Sequence, residues 1–498
     1  MSLWQNLPFL LIMLPLVSAA VTAALPPRAA RRTAIAVIAA ATGLSALLVV
    51  RMADYGQSYT YMMGHFPAPW GNEIRAGMLE AAVALAFSFV MLCAVVGGLR
   101  TMERDIRPGR QGLYFVMLEL TTAALMAQVF TNDVFTGYVF LEIMTIAACA
   151  LIAARQRGGT LVAATRYMIM NLVGSSLFLL GITLLYDLTG HLLMSNIQQA
   201  IAALHETGKY HQPLTMVIGL ITVGLCVKSA LFPFHTWVPD AYSAATPTGS
   251  AVLSSLISKG YIILLVKCYY RVFGIQVVAD TGALDVLFVF AAVGAVLGSV
   301  GALWQQDIRR MTAYSSVAQI GYIYMAVGLG TDAGTAAAMF QLIAHSLSKA
   351  LLFIAIGGLC EGCGGRHILK DLRGAGYRAP LAGAAFTLGT LSMIGVPLLS
   401  GFMVKLYYAR AALALGPWQM IVVLAVLAVS TALNAVYFGR ALISLYALDA
   451  GEIGERKHIY SGVCFALGCL ALCAATVALG VMPAPVLQAL LDGIGMLA

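Results

Sequence analysis

The stretch Lys228-Ser-Ala-Leu-Phe-Pro233-Phe-His235-Thr-Trp237-Val-Pro239-Asp240 decides the fold. It ends an apolar run that begins near residue 214, and it cannot continue as a helix. Proline removes a backbone donor and its ring clashes with the preceding turn. Pro233 and Pro239, with Pro247 close behind, therefore interrupt a segment whose composition belongs in hydrocarbon. A second run, 381–408, is interrupted by Gly395-Val-Pro397-Leu-Leu-Ser400-Gly401. Broken helices survive in lipid only where protein or water satisfies the freed backbone groups. Each break has a lysine beside it, Lys228 before the first and Lys405 after the second. Interrupted segments at corresponding places in two halves point to an inverted-repeat transporter with its site at the breaks.

Working outward, the 498 residues are 61% hydrophobic and 10% charged, with a mean hydropathy of +0.89. A soluble domain carries roughly a quarter charged residues, so that class is excluded. Apolar runs of about 20 residues recur, each the length of a membrane-spanning helix. Fourteen are read at 7–25, 33–50, 79–98, 112–130, 134–154, 166–186, 214–231, 249–270, 284–303, 312–330, 336–359, 381–408, 420–447 and 461–482. Loops after odd-numbered spans carry seventeen Lys and Arg, including Arg28, Arg31, Arg32, Arg155, Arg157, Arg309, Arg310, Arg456 and Lys457, against five after even-numbered spans. By the positive-inside rule the odd loops are cytoplasmic and both termini lie on the outer face of a cytoplasmic (inner) membrane. The net charge of +8 is then topology and lipid-headgroup contact, and no nucleic-acid partner is expected.

The first run precedes its arginines, the reverse of a signal peptide, so it is expected to be a retained span. The long polar connections 51–78 and 187–213 are expected as external loops, followed at the chain's end by a short tail. Most of the nine cysteines lie in apolar runs and read as small buried hydrophobes. Cys360 and Cys363 form a lone C-x-x-C, a weak metal or redox signal without a second pair.

Five ionisable residues sit deep in these spans, Glu142, Lys228, Lys259, Lys349 and Lys405, with His345 one helical turn from Lys349. A charge at the bilayer centre costs roughly 2.5–3.5 kcal/mol on insertion scales, so such residues mark an ion path before they mark packing. Glu142 and Lys228 are expected as an ion pair on facing helices; the bland alternative is a static packing pair. Lys259, near the midplane, is too deep to snorkel. His345 can accept and donate, and so relay a proton; a hydrogen-bonded core histidine is the alternative. His235, in the first break, is either a carrier or a cap for freed carbonyls. Glu119 is placed at a cytoplasmic inlet with Arg166 or Arg157 as partner, or near the headgroups. Asp240 is expected to cap the next helix. Asp307, Arg309 and Arg310 read as topological loop charges.

The quoted stretch resembles the signature of the antiporter-like subunits, the large proton-pumping membrane subunits of respiratory complex I, of Mrp cation/proton antiporters and of membrane-bound hydrogenases. Asp307-Ile-Arg-Arg310-Met-Thr-Ala-Tyr314, His345-Ser-Leu-Ser-Lys349 and Gly395-Val-Pro397 leading to Lys405 are similar to further family motifs, over roughly 112–447. The resemblance implies an all-α polytopic fold of fourteen helices with two inverted five-helix repeats, each with a broken helix. The division is 1–111 (helices one to three), 112–271 and 272–447 (the repeats), and 448–498 (helix fourteen and tail). It also implies that Glu142, Lys228, Lys259, His345, Lys349 and Lys405 form the proton pathway, with His235 and Glu119 as accessories. Lysine rather than glutamate at 405 looks closest to the Mrp D-like and hydrogenase groups. The function expected is proton translocation, with Na⁺/H⁺ exchange left open, by a non-redox subunit that holds no cofactor or metal. Its partners would be other membrane subunits, lipid and, where redox energy is used, a peripheral redox arm. Whether the host complex is an oxidoreductase or an Mrp-type antiporter stays open, and a transport-inactive scaffold is the rival from another class.

Overall fold

In the computed structural model the described residues are 3–66, 71–447 and 462–497; Arg456 and Lys457 lie outside them. The helices are α1 (Leu7–Ala23), α2 (Pro27–Tyr55), α3 (Met78–Asp105), α4 (Pro108–Phe130), α5 (Val134–Ala153), α6 (Gly158–Thr189), α7 (Met194–Glu206) and α8 (His211–Ser229). They continue with α9 (Val238–Ala244), α10 (Pro247–Phe273), α11 (Ala283–Leu303), α12 (Ile308–Val327), α13 (Asp332–Gly362), α14 (Pro380–Ile394), α15 (Ser400–Leu413), α16 (Pro417–Tyr446), α17 (Val463–Val481) and α18 (Pro483–Gly495). Local chemistry sets many of the starts. Proline, whose missing N–H costs nothing in the first turn, opens α2, α4, α10, α14, α16 and α18. Asp133, Thr246, Asp307 and Thr331 cap α5, α10, α12 and α13 by accepting from the amides of Thr136, Gly249, Arg309 and Gly334.

Twelve helices among the described residues are long and apolar enough to cross a membrane. The two remaining expected spans are α12 and the interrupted pair α14–α15. α12 falls short in apolarity because Thr312, Ser315, Ser316 and Gln319 are buried along it. Both breaks appear where the prolines predict them. α8 stops at Ser229, Ala230 turns left-handed at φ +66°, Phe232-Pro233 is cis, and a 3₁₀ turn (Phe234–Trp237) leads into α9. α14 stops at Ile394, with Gly395 at φ +92° and Leu398 at φ +72° before α15 begins.

Three expectations change. The connection 51–78 is not simply a loop: Tyr59–Met62 and Glu73–Ala76 pair as an antiparallel hairpin, Tyr59 opposite Ala76. The connection 187–213 contains α7, whose Met194, Ile197 and Ile201 are buried while the opposite side is polar. The tail is the amphipathic α18, packed on α3 and α13. Its end meets the hairpin: Arg75 donates to the Met496 carbonyl, and Arg271 reaches that of Leu497 at 3.4 Å. Tyr59 donates to the Gln5 carbonyl at 3.3 Å, so the first and last described residues share one face of the bundle.

α10, α12 and α13 form the centre. Every residue from 248 to 273 and from 334 to 357 is buried, so any charge on them is isolated from bulk solvent. α11 and α12 pack at near-backbone contact through Gly298 and Gly321. A Cβ on Gly321 would stand 2.5 Å from the Ala295 nitrogen. Gly321→Ala is expected to destabilise by about 1–3 kcal/mol, read as a lower melting temperature of the purified protein. Gly43→Ala, with nothing within 4 Å of its added carbon, should leave that temperature unchanged or slightly higher.

Candidate functional site

At the first break, Lys228 is fully buried in the last turn of α8. Its Nζ donates to Glu142 Oε1 at 3.1 Å and to Thr145 Oγ1 at 2.8 Å, so α5 supplies both acceptors from one face, three residues apart. Glu142 also accepts from Ser175 Oγ and is 27% exposed, unlike its partner. Thr145 meets the Tyr261 hydroxyl at 3.1 Å, and the Lys228 ammonium lies 5.4 Å from the Tyr261 ring centroid, within cation–π range. Thr145 and Tyr261 were not singled out from sequence, because hydroxyls in a span are ordinary.

Lys259 lies two residues before Tyr261 on α10. Residues Leu253–Ile257 just before it form a π-helical turn, a distortion often found at functional sites. Lys259 Nζ donates to the Ser254 carbonyl and, at 3.2 Å, to Ser258 Oγ. Lys349 Nζ donates to the Thr312 carbonyl at 2.8 Å and to Ser315 Oγ. Both amines are fully buried, and among the described residues neither has a carboxylate within ion-pair distance. Ser346, beside His345 on α13, donates to the Ser255 carbonyl at 2.6 Å, one turn before Lys259 on α10.

His345 is buried, and neither ring nitrogen meets a hydrogen-bond partner among the described residues. Its ring borders a cavity of about 20 Å³, also lined by Gln319, Tyr322, Gln341, Ser348 and Lys405; that volume admits about one water. Lys405 lines the same cavity. Its Nζ donates to the Ile394 carbonyl, freed by the second break, and to Thr431 Oγ1 at 2.7 Å. Ser348, Ser392 and Ser400 step across the same break at 3.1 and 3.2 Å.

The structure thus puts Glu142 and Lys228 in contact, gathers Lys259, His345 and Lys349, and sets His345 and Lys405 on one cavity. His235 stands apart. Its ring stacks on Phe232 with centroids 5.5 Å apart, and Nδ1 has no partner among the described residues.

Two expected partnerships are corrected. Glu119 does not meet Arg166 or Arg157. α4 packs on α1, turning the carboxylate to Ser18, which donates at 2.6 Å. Asp240 does not cap α10, a place taken by Thr246. It lies in the first turn of α9 and binds Arg166 and, at 2.7 Å, Arg310. Asp307 and Arg309 also do more than mark topology, as Asp307 caps α12 and pairs with Arg309 at 3.1 Å. One buried lysine escaped the sequence reading. Lys267, near the expected end of its span where snorkelling is ordinary, is 1% exposed. It donates to the carbonyls of Val129, at 2.8 Å, and Thr131, closing the end of α4. Cys360 and Cys363 are both unpaired thiols, and no group of three or more metal-ligating side chains occurs among the described residues.

The fold defines a polytopic membrane protein of the antiporter-like class. Residues 131–431 match the family described as NADH:quinone oxidoreductase/Mrp antiporter, transmembrane. The chain is 34% identical over 458 residues to NADH-quinone oxidoreductase subunit N of Desulforudis audaxviator strain MP104C, covering 91% of this chain and 89% of that one. It is 30% identical to the putative antiporter subunit mnhD2 of Staphylococcus aureus strain MRSA252, covering 84% and 80%. A chain in the archaeal membrane-bound sulfane sulfur reductase superposes with a TM-score of 0.88 at 26% identity, covering 99% and 98%. The chain belongs to the NADH:quinone oxidoreductase/Mrp antiporter transmembrane family.

Lys267→Met removes the donor from two buried carbonyls. The expected loss is about 1–3 kcal/mol of stability, seen as earlier melting of the purified protein.

Proposed function

We propose that this chain carries protons through the membrane as a non-redox subunit of a multisubunit complex, along Glu142, Lys228, Lys259, His345, Lys349 and Lys405. The observation that carries the reading is the pair of fully buried amines, Lys259 and Lys349, held by carbonyl and hydroxyl oxygens with no carboxylate at ion-pair distance among the described residues. A static packing role would favour neutral side chains, because an unpaired charge in low dielectric is costly. Carbonyl and hydroxyl dipoles solvate an ammonium yet leave no carboxylate stranded once its proton departs. Glu142 acts as the gate. At 3.1 Å it stabilises the Lys228 ammonium; when it withdraws, that stabilisation is lost and the proton is free to pass inward. The amines titrate as a coupled set, so moving one proton biases the next.

In this reading residues 112–271 and 272–447 are two inverted repeats, each built around one break, flanked by 1–111 and 448–498. The membrane is the cytoplasmic one, with the hairpin, both termini and α18 on its outer face and the arginine-rich loops inside. A second reading, an Mrp-type Na⁺/H⁺ antiporter subunit working without redox input, is favoured by Lys405 and by the mnhD2 relative. Co-purification separates the hosts: an iron–sulfur arm indicates redox drive, whereas small membrane partners alone indicate Mrp.

The intact complex in sealed vesicles tests the function. Lys228→Ala and Glu142→Ala are each expected to cut proton movement by at least about tenfold, near 1.4 kcal/mol in the limiting barrier, with subunit composition unchanged. Undiminished proton movement in a correctly assembled variant defeats the proposal.

A further inference from the structure

We propose that the cavity at the head of α6 binds the phosphate headgroup of an anionic phospholipid. The cavity, about 560 Å³, lies on the face that carries the arginine-rich loops. Arg155, Arg157, Arg166, Arg309, Arg310 and Asp240 line it. No step of the proton path uses it.

The cavity's charge is unbalanced. Asp105, which also meets Arg104 at 3.1 Å, pairs with Arg155, and Asp307 pairs with Arg309, while the two oxygens of Asp240 are divided between Arg166 and Arg310. Arg157 has no carboxylate within ion-pair distance among the described residues. Five guanidinium groups thus share three carboxylates. The crowding is felt at Arg155, which lies in the loop between spans. Burial draws its guanidinium below its ordinary value, Asp105 opposes this, and the neighbouring charges of Arg309 and Arg157 add to the lowering. The first turn of α6 adds to the surplus. It holds no acidic residue, and the space beside Gly158 and Gly159 is open, so the positive end of a 32-residue helix faces the cavity without a counter-charge.

These features call for an anion that brings several oxygens, and phosphate suits clustered guanidinium groups because each can bind two oxygens at once. The wall of the cavity decides between a lipid and a free ion. Val162 lines it and is 54% exposed, and Leu161 beside it is 51% exposed, on a helix that goes on to cross the membrane. A soluble phosphate has no use for that apolar flank, whereas a phospholipid places its headgroup among the arginines and its acyl chains along Leu161 and Val162. Basic pockets between helices on the cytoplasmic side are suited to anionic headgroups. Asp240 sits on α9, the second half of the broken helix, so an occupied site would brace the break from its open end.

The test is native mass spectrometry of the intact, delipidated complex titrated with phosphatidylglycerol, phosphatidylcholine or inorganic phosphate. Wild type should hold phosphatidylglycerol at least about tenfold more tightly than phosphatidylcholine. Arg157→Gln should weaken this by about fivefold, whereas Arg157→Lys, which keeps the charge, should retain most of it. Equal affinity for the two lipids, or unchanged phosphatidylglycerol binding in an assembled Arg157→Gln complex, overturns the site. Displacement of the lipid by inorganic phosphate at comparable concentration overturns the lipid assignment and leaves a soluble-anion site.

Discussion

A buried ammonium must be given oxygen atoms, and much of the interior is arranged to supply them. Lys259 takes the Ser254 carbonyl, Lys349 that of Thr312, Lys405 that of Ile394 and Lys267 those of Val129 and Thr131. In a regular helix a main-chain carbonyl is already engaged by the amide four residues on. Spare carbonyls arise at helix ends and irregular turns, and several of these lysines use such places: the π-turn before Lys259, the second break beside Lys405, and the end of α4 above Lys267. At Lys405 and Lys267 backbone irregularity and buried charge thus support one another, whereas Lys349 takes a carbonyl from within α12.

The two breaks meet this demand differently. At the first, Lys228 has a formal counter-charge in Glu142, and hydroxyls continue the contact through Thr145 to Tyr261. At the second, Lys405 is held by a freed carbonyl and Thr431. A pair responds to the movement of either member, while a lysine held by dipoles responds chiefly to its hydration and to neighbouring charge. The halves are thus chemically unequal although both are interrupted in the same manner.

Much of the architecture was legible because hydrocarbon imposes strong local rules. Span length, proline breaks and charged residues at depth are all visible in a window of about twenty residues, and the Glu142–Lys228 pair followed from charge and depth. What escaped depends on contacts distant in sequence or on weaker patterns. The hairpin strands are four residues each, and α7 and α18 are too short and too polar on one side to register as spans. The Ser18 partner of Glu119 is not visible in either reading of that residue, because the α1–α4 packing that joins them links residues 101 positions apart. Asp240 looked like a cap from the proline before it, but two arginines from other helices compete for its oxygens. Lys267 was passed over because depth near a span's end cannot be judged to within one turn from hydropathy.

The contact of Arg75 with the Met496 carbonyl joins residues 421 positions apart. A ribosome delivers the first of these long before the second, so the corner around Arg75, Glu80 and Arg271 must be threaded early and stays open until α18 has been made. Until α18 docks, two guanidinium groups that finish almost fully covered stand without their final acceptors. Docking of α18 is therefore a latch, and a nascent chain stalled shortly before α18 emerges would carry every helix of the proposed conduit yet remain unsealed at that corner.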